Sequence, residues 1–261
     1  MRINGSIIGS NVTPSIVSGA SGIWGLQNVD IANRSRTWPT DIVTNGLVLF
    51  LDANNTNSYP GSGTSWYDLS GNDNTGTLTN GPTFSSTNGG SIFFDGTNDY
   101  VNMGTSTYCN LINISVSVWV RVTSTSGYFL GRYYNTTING FFMYYDVAST
   151  KFSVDGRESG AAYLSRPTTN TYPLNNWYNF TWTKSANVWS LYVNGSLDVS
   201  SALGNGTTPF SNNTMWLGGF NQGGTQYYSS VNLSNVFIYN RTITAVEVLQ
   251  NYNATKSRFG R

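Results

Sequence analysis

At 261 residues the chain can bury a substantial core, and an all-β unit often reaches this size as one domain. Charged residues make up 10%, the formal net charge is +1, and the three lysines (Lys151, Lys184, Lys256) and ten arginines are scattered, which argues against nucleic acid as a partner. Histidine is absent and Cys109 is the only cysteine, which excludes Ser-His-Asp and Cys-His nucleophilic systems, His-ligated metal centres and intramolecular disulfides.

With so few charges, solubility falls to Asn, Ser, Thr and Gly, while 8 Trp, 17 Tyr and 13 Phe supply the apolar mass. That mixture suits strands joined by tight turns and is poor helix material. Residues 1–44 are rich in Gly, Ser and Asn, with isolated apolar residues and a short helical turn expected near Gln27–Ala32. Such a segment cannot fold by itself. It reads either as a solvated tail or as an arm that orders against a partner through Ile23, Trp24, Leu26 and Trp38; two tryptophans in a free tail favour the arm. The segment lacks the apolar core of a secretory signal, and no stretch is long enough to span a bilayer. The product is expected to be assembled in a cytoplasm without membrane insertion, and triplets such as Asn113-Ile114-Ser115 are not read as glycosylated.

From residue 45 to 261 the pattern is that of one β domain. Gly46–Leu51 is an apolar run expected to be covered on both sides. Ser91–Asp95 and Asp99–Met103 flank the turn Gly96-Thr97-Asn98. In 113–122 strict alternation puts Ile114, Val116, Val118, Val120 and Val122 on one face and Ser115, Ser117, Trp119 and Arg121 on the other. Further strands are expected at Tyr128–Gly131, Phe141–Asp146, Lys151–Asp155 and Trp177–Thr183. Val188–Val193 and Leu197–Val199 form a hairpin across Asn194-Gly195, whose positive φ requirement Asn and Gly meet most easily. Met215–Leu217 and Leu233–Tyr239 complete about a dozen strands, and such a run without helices means a sandwich or barrel. One helix is expected at the end, where Thr244-Ala245-Val246-Glu247 has capping-box spacing. The basic tail after it (Lys256, Arg258, Arg261) reads as a solvated end.

The chain resembles the laminin-G-like, concanavalin A-like jelly-roll family over about residues 45–255. The resemblance is carried by Gly46–Asp52, Trp66–Asn72, Ile92–Val101, Ser115–Val120, Leu191–Gly195 and Leu233–Arg241, in that order. It implies an antiparallel β-sandwich jelly roll with an extended N-terminal arm and a short C-terminal helix. The end of the domain, Leu249–Thr255 followed by Arg258–Gly260, and Gly22–Leu26 with Trp38-Pro39 resemble structural proteins of tailed bacteriophages. That context implies a virion protein: a capsid decoration protein, head fibre or tail-fibre component, contacting other capsid or tail proteins and self-associating on symmetric sites. The alternative is a carbohydrate-binding adhesin contacting host surface glycans.

Retaining β-glucanases of this fold need a Glu-x-Asp-x-x-Glu run, and the only glutamates, Glu158 and Glu247, are far apart in sequence, so no enzyme is expected. Laminin-G relatives often hold calcium at the rim, and Asp68, Ser70 and Asn72 offer alternating oxygens for Ca²⁺ in a Gly-bearing loop. The competing reading is that these side chains bond their own turn. For glycans, Tyr227 and Tyr228 between Gly223-Gly224 and Ser229-Ser230 are expected as an exposed aromatic pair.

Overall fold

The computed structural model describes residues 41–261 except 88, 106, 110, 124–126, 133–138, 159–162, 205, 207–209, 211 and 212. The expected anchors Ile23, Trp24, Leu26 and Trp38 and the turn at Gln27–Ala32 lie outside the described residues.

The strands, in chain order, begin with β1 (Leu47–Asp52), β2 (Ser65–Trp66), β3 (Gly76–Thr79), β4 (Thr83–Ser85), β5 (Ser91–Asp95) and β6 (Tyr100–Thr105). They continue with β7 (Ile114–Val122), β8 (Gly127–Arg132), β9 (Gly140–Asp146), β10 (Lys151–Arg157), β11 (Tyr163–Pro167) and β12 (Tyr178–Ser185). The last are β13 (Val188–Val193), β14 (Ser196–Ala202), β15 (Thr214–Leu217), β16 (Gly219–Gln222), β17 (Thr225–Tyr228) and β18 (Ser230–Tyr239), followed by helix α1 (Ala245–Thr255). Sheet A runs β14-β13-β12-β7-β18-β5-β4 and sheet B runs β11-β10-β9-β8-β15-β6-β3-β2. In sheet A, β5 and β1 lie end to end along one side of β18, pairing with Ser230–Leu233 and Asn235–Tyr239 respectively.

The valine face of β7 explains the arrangement. Ile114, Val116, Val118, Val120 and Val122 enter a core between the sheets with Phe180, Trp182 and Leu191 from sheet A and Phe129, Phe141, Met143 and Phe152 from sheet B. Stacked sheets pack about 10 Å apart, which large aromatics fill. The opposite face of sheet A is also covered. Leu47 and Phe50 of β1 pack there with Phe237, Tyr239, Ile243 and Val248, so β1 is buried on both sides, in accord with its unbroken apolar run. Thr244 and Glu247 form the capping box of α1: the Thr244 hydroxyl accepts from the Glu247 backbone N–H (3.3 Å) and the Glu247 carboxylate accepts from the Thr244 N–H (2.8 Å).

The C-terminal tail is docked on this face, which corrects the expectation of a solvated end. Both terminal nitrogens of Arg258 donate to the Asp52 carboxylate (2.9 and 2.8 Å). Phe259 stacks on Trp119 at 4.0 Å between ring centroids, Trp119 Nε1 donates to the Thr255 hydroxyl (2.8 Å), and Arg261 donates to the Trp177 carbonyl (3.1 Å). Trp119, on the polar face of β7, is therefore fully buried. Replacing Phe259 by Ala should lower stability by about 1–2 kcal/mol, because much of one aromatic ring leaves a buried contact. Urea unfolding followed by tryptophan fluorescence measures this, and an unchanged midpoint would refute the docked tail.

Two carboxylates tie peripheral elements down. Asp198 on edge strand β14 accepts from the backbone of Thr169 and Asn170, the Asn170 amide and the Tyr172 hydroxyl, joining sheet A to the loop after β11. Burial alone would raise its pKa, but these bonds hold it below the usual carboxylate range. Burial likewise opposes ionisation of Glu247, and its bonds from Arg241 and Thr244 outweigh that. Groups with depressed native pKa stabilise the fold above the unfolded value of about 4 and lose that contribution as pH falls through the native value. Thermal stability should therefore fall on acidification below about pH 4, and the fall should be shallower in Asp198→Asn and Glu247→Gln variants.

Candidate functional site

The outer face of sheet B carries a cluster of polar and aromatic side chains. Strand register sets the layout: Arg157 pairs with Tyr163 and Asp155 with Ser165 across β10–β11, while Asp155 pairs with Phe142 and Ser153 with Tyr144 across β10–β9. Alternation puts these residues on one side of the sheet. Asp155 is only 2% exposed, and its carboxylate accepts from three hydroxyls: Ser153 (2.5 Å), Tyr163 (2.5 Å) and Ser165 (2.8 Å). Burial and the adjacent Asp155 charge push the Tyr144 phenol up to about 12. A carboxylate held this way positions other groups. It anchors the Tyr163 hydroxyl while leaving the residue 47% exposed, a pre-oriented aromatic surface at the edge of the sheet.

Toward the middle of the sheet the face becomes aromatic. Tyr128 contacts Phe142, Tyr144, Phe220 and Tyr227 at centroid distances of 5.2–5.7 Å. Phe220 and Tyr227 come from the β16–β17 hairpin, which lies against β8 because Gly131 has no side chain: a Cβ there would sit 2.3 Å from the Phe220 ring. Beyond the hairpin, Tyr100 stacks on Trp216 at 4.1 Å and Tyr228 lies nearly parallel to Trp216 at 6.3 Å.

The sequence expected Tyr227 and Tyr228 to be an exposed pair in a loop. They are instead consecutive residues of β17, both half-buried, in separate clusters. Neighbours on a strand face opposite ways, so the two rings cannot form one platform. Tyr163 was missed because its surroundings show no clean alternation in sequence; the signal was Asp155, set between Ser153 and Arg157 at period two.

The rim loop at Asp68 is organised by its own hydrogen bonds. The Asp68 carboxylate accepts from the backbone of Phe50 (2.9 Å), Ser70 (2.9 Å) and Asn74 (3.0 Å) and from the Ser70 hydroxyl (2.8 Å). The Asn72 amide donates to the Ser70 oxygen (2.9 Å). Both carboxylate oxygens are thus already used by donors, and the Ser70 hydroxyl and the Asn72 amide are used within the same turn. This arrangement does not fit a calcium ion, which needs six to eight converging oxygens. Asp95 and Asp99 likewise serve their turn, accepting from the Thr97 N–H (2.7 Å) and the Asp95 N–H (3.2 Å). Both glutamates are paired: fully buried Glu158 with Lys184 (3.3 Å), and Glu247 with Arg241 (2.6 Å).

A profile described as concanavalin A-like lectin/glucanases superfamily, of laminin-G type, matches residues 95–249, and the chain belongs to that superfamily. No curated protein sequence matches the chain. Among solved structures, it is similar to the Trypanosoma rangeli sialidase complex with 2,3-difluorosialic acid, at TM-score 0.61 and 17% identity, covering 83% of this chain and 34% of that one. It is also similar to the binding domain of Paraclostridial Mosquitocidal Protein 1, at TM-score 0.61 and 16% identity, covering 80% of this chain and 52% of that one. A point mutant of HCR/D matches at TM-score 0.63 and 12% identity, with 80% and 52% coverage. The chain therefore spans about a third of the sialidase and half of the other two. These likenesses establish the sandwich fold. Among the described residues no helix is long and apolar enough to cross a membrane.

Added calcium or EDTA should leave the melting temperature unchanged. Asp68→Ala should cost about 1–3 kcal/mol, since it strands buried backbone donors. A calcium-dependent rise in melting temperature that disappears in the variant would overturn this reading of the loop.

Proposed function

We propose that the protein is a structural component of a tailed-bacteriophage particle, attached by residues 1–44, with its sandwich displayed outward for binding and without turnover. The observation that carries this reading is the position of the chain where it enters the sandwich. The Gln250 side chain donates to the Asp41 carbonyl (2.9 Å), the Val43 N–H donates to Asn251 Oδ1 (2.8 Å), and the Tyr239 hydroxyl donates to the Val43 carbonyl (2.9 Å). All three contacts lie on the outer side of sheet A. The Tyr163–Asp155 face lies on the outer side of sheet B, with both sheets between. An arm fixed to a particle would turn that face away from it.

Absence of turnover is supported by chemistry. General acid–base work on a glycosidic bond in most glycosidases uses two carboxyl groups flanking it. Both glutamates are held in ion pairs, Asp155 is enclosed by hydroxyls, and no histidine exists to substitute. The binding reading rests on Tyr163. An exposed ring fixed through its hydroxyl can stack on a pyranose, and Arg157 beside it can donate to hydroxyl groups.

Residues 41–261 expressed alone should fold with the melting temperature of the full chain but fail to co-sediment with particles lacking the protein. Attachment of the truncated protein would refute the arm as anchor. In affinity electrophoresis through host surface polysaccharide, Tyr163→Ala should lose the retardation of the parent protein, whereas Tyr228→Ala should keep it; the reverse result would move the site to the hairpin.

A further inference from the structure

Arg157 is a charge on the outer side of sheet B, at the end of β10. It lies in register with Tyr163 on β11 and Gly140 on β9, on the same side as Asp155. The residue is half-buried, its Nε atom is buried without an acceptor, and no described residue pairs with it. Asp155, two positions away on the same strand face, would be the natural counter-ion. Its carboxylate is instead occupied by the hydroxyls of Ser153, Tyr163 and Ser165. Among the described arginines, Arg241 pairs with Glu247 and Arg258 with Asp52, while Arg121 and Arg261 donate to backbone carbonyls. The face thus presents a guanidinium whose planar fork suits a carboxylate, beside an aromatic plate, with glycine rather than a side chain on its other flank.

From this juxtaposition, and resting on the glycan reading above, we infer that the ligand is an acidic saccharide: a pyranose stacks on the Tyr163 ring while its carboxylate pairs with Arg157. Directly opposed residues on neighbouring strands have Cβ atoms about 5 Å apart. Tyr163 and Arg157 are therefore near enough for one sugar residue to meet both. Asp155 acts here as a positioning residue. It fixes the Tyr163 hydroxyl and, being already satisfied, leaves Arg157 free for the ligand.

The test uses the full chain with polygalacturonate, alginate and methyl-esterified polygalacturonate, whose backbone is the same with its charge removed, in affinity electrophoresis at fixed ionic strength. The parent protein should be retarded by an acidic polymer, with the ester about tenfold weaker, the cost of losing one charge-assisted contact. Arg157→Gln should bind acid and ester alike at the weaker level with an unchanged melting temperature, and Tyr163→Ala should bind neither. Asp155→Asn should weaken binding of acid and ester together, because it loosens the ring and not the charge. Equal retardation by acid and ester in the parent protein would overturn the acidic ligand while leaving glycan binding intact. No retardation by any polymer would end both readings.

Discussion

The two-residue alternation of β7 is the constraint on which the other layers depend. Its even positions commit Ile114 through Val122 to the space between the sheets, and its odd positions then have to be satisfied on the far side. Ser117 bonds Thr181 at 2.7 Å, Ser115 donates to the Arg241 carbonyl at 2.9 Å, and Trp119 is roofed by Tyr252 and Phe259. A one-residue slip would send the valines to the helix and the serines into the core, so packing on both faces fixes the register. The helix and tail are consequences of this choice. They exist because a sheet face holding a fully buried tryptophan must be covered, and the polar atoms there must find partners among the covering residues.

Sheet B solves the same problem differently. Among the described residues the β16–β17 hairpin lies over β8 in the middle of its outer side, and at the edge Tyr163 and Ser165 of β11 meet solvent above a buried β10. The polar residues cluster at that edge. A buried carboxylate is costly unless it is hydrogen-bonded, and three hydroxyls can satisfy it without neutralising a cation. The contrast with Glu158, which is fully buried and paired with Lys184, is instructive. There the two charges cancel and nothing is left over for a partner molecule. At Asp155 hydrogen bonding replaces charge pairing, so the neighbouring guanidinium stays available.

Much of the fold was legible in the sequence for a physical reason: a residue facing a core on one side writes its position as a period-two pattern. β7, β12 and β13 do this plainly, Asn194-Gly195 marks the hairpin from β13 to β14, and Thr244 with Glu247 marks the helix start. The short strands β2, β3 and β4 and the hairpin β16–β17 were not legible, because two to four residues cannot show a period. The site was less legible than the fold. Tyr227 and Tyr228 sit among glycines, which reads as a loop, yet the glycines serve to turn a hairpin whose rings are packed. Tyr163 becomes meaningful only once pairing of β10 with β11 brings it over Asp155. Arg132, which looks like a strand-end arginine bound for solvent, is fully buried beside Tyr108 and Cys109, where burial lowers its pKa. Its burial depends on neighbours remote in sequence, which local pattern does not encode.

The tail locked beneath Trp119 and the segment at Asp41 that rests on α1 share one side of the molecule. A sandwich whose incoming and outgoing strands of polypeptide are gathered on a single face behaves as a cassette. Copies could be strung along a longer chain, or the unit lodged within another protein, with the opposite sheet left unobstructed each time. Surface variation can then accumulate on the sheet B side without disturbing how the unit is tethered.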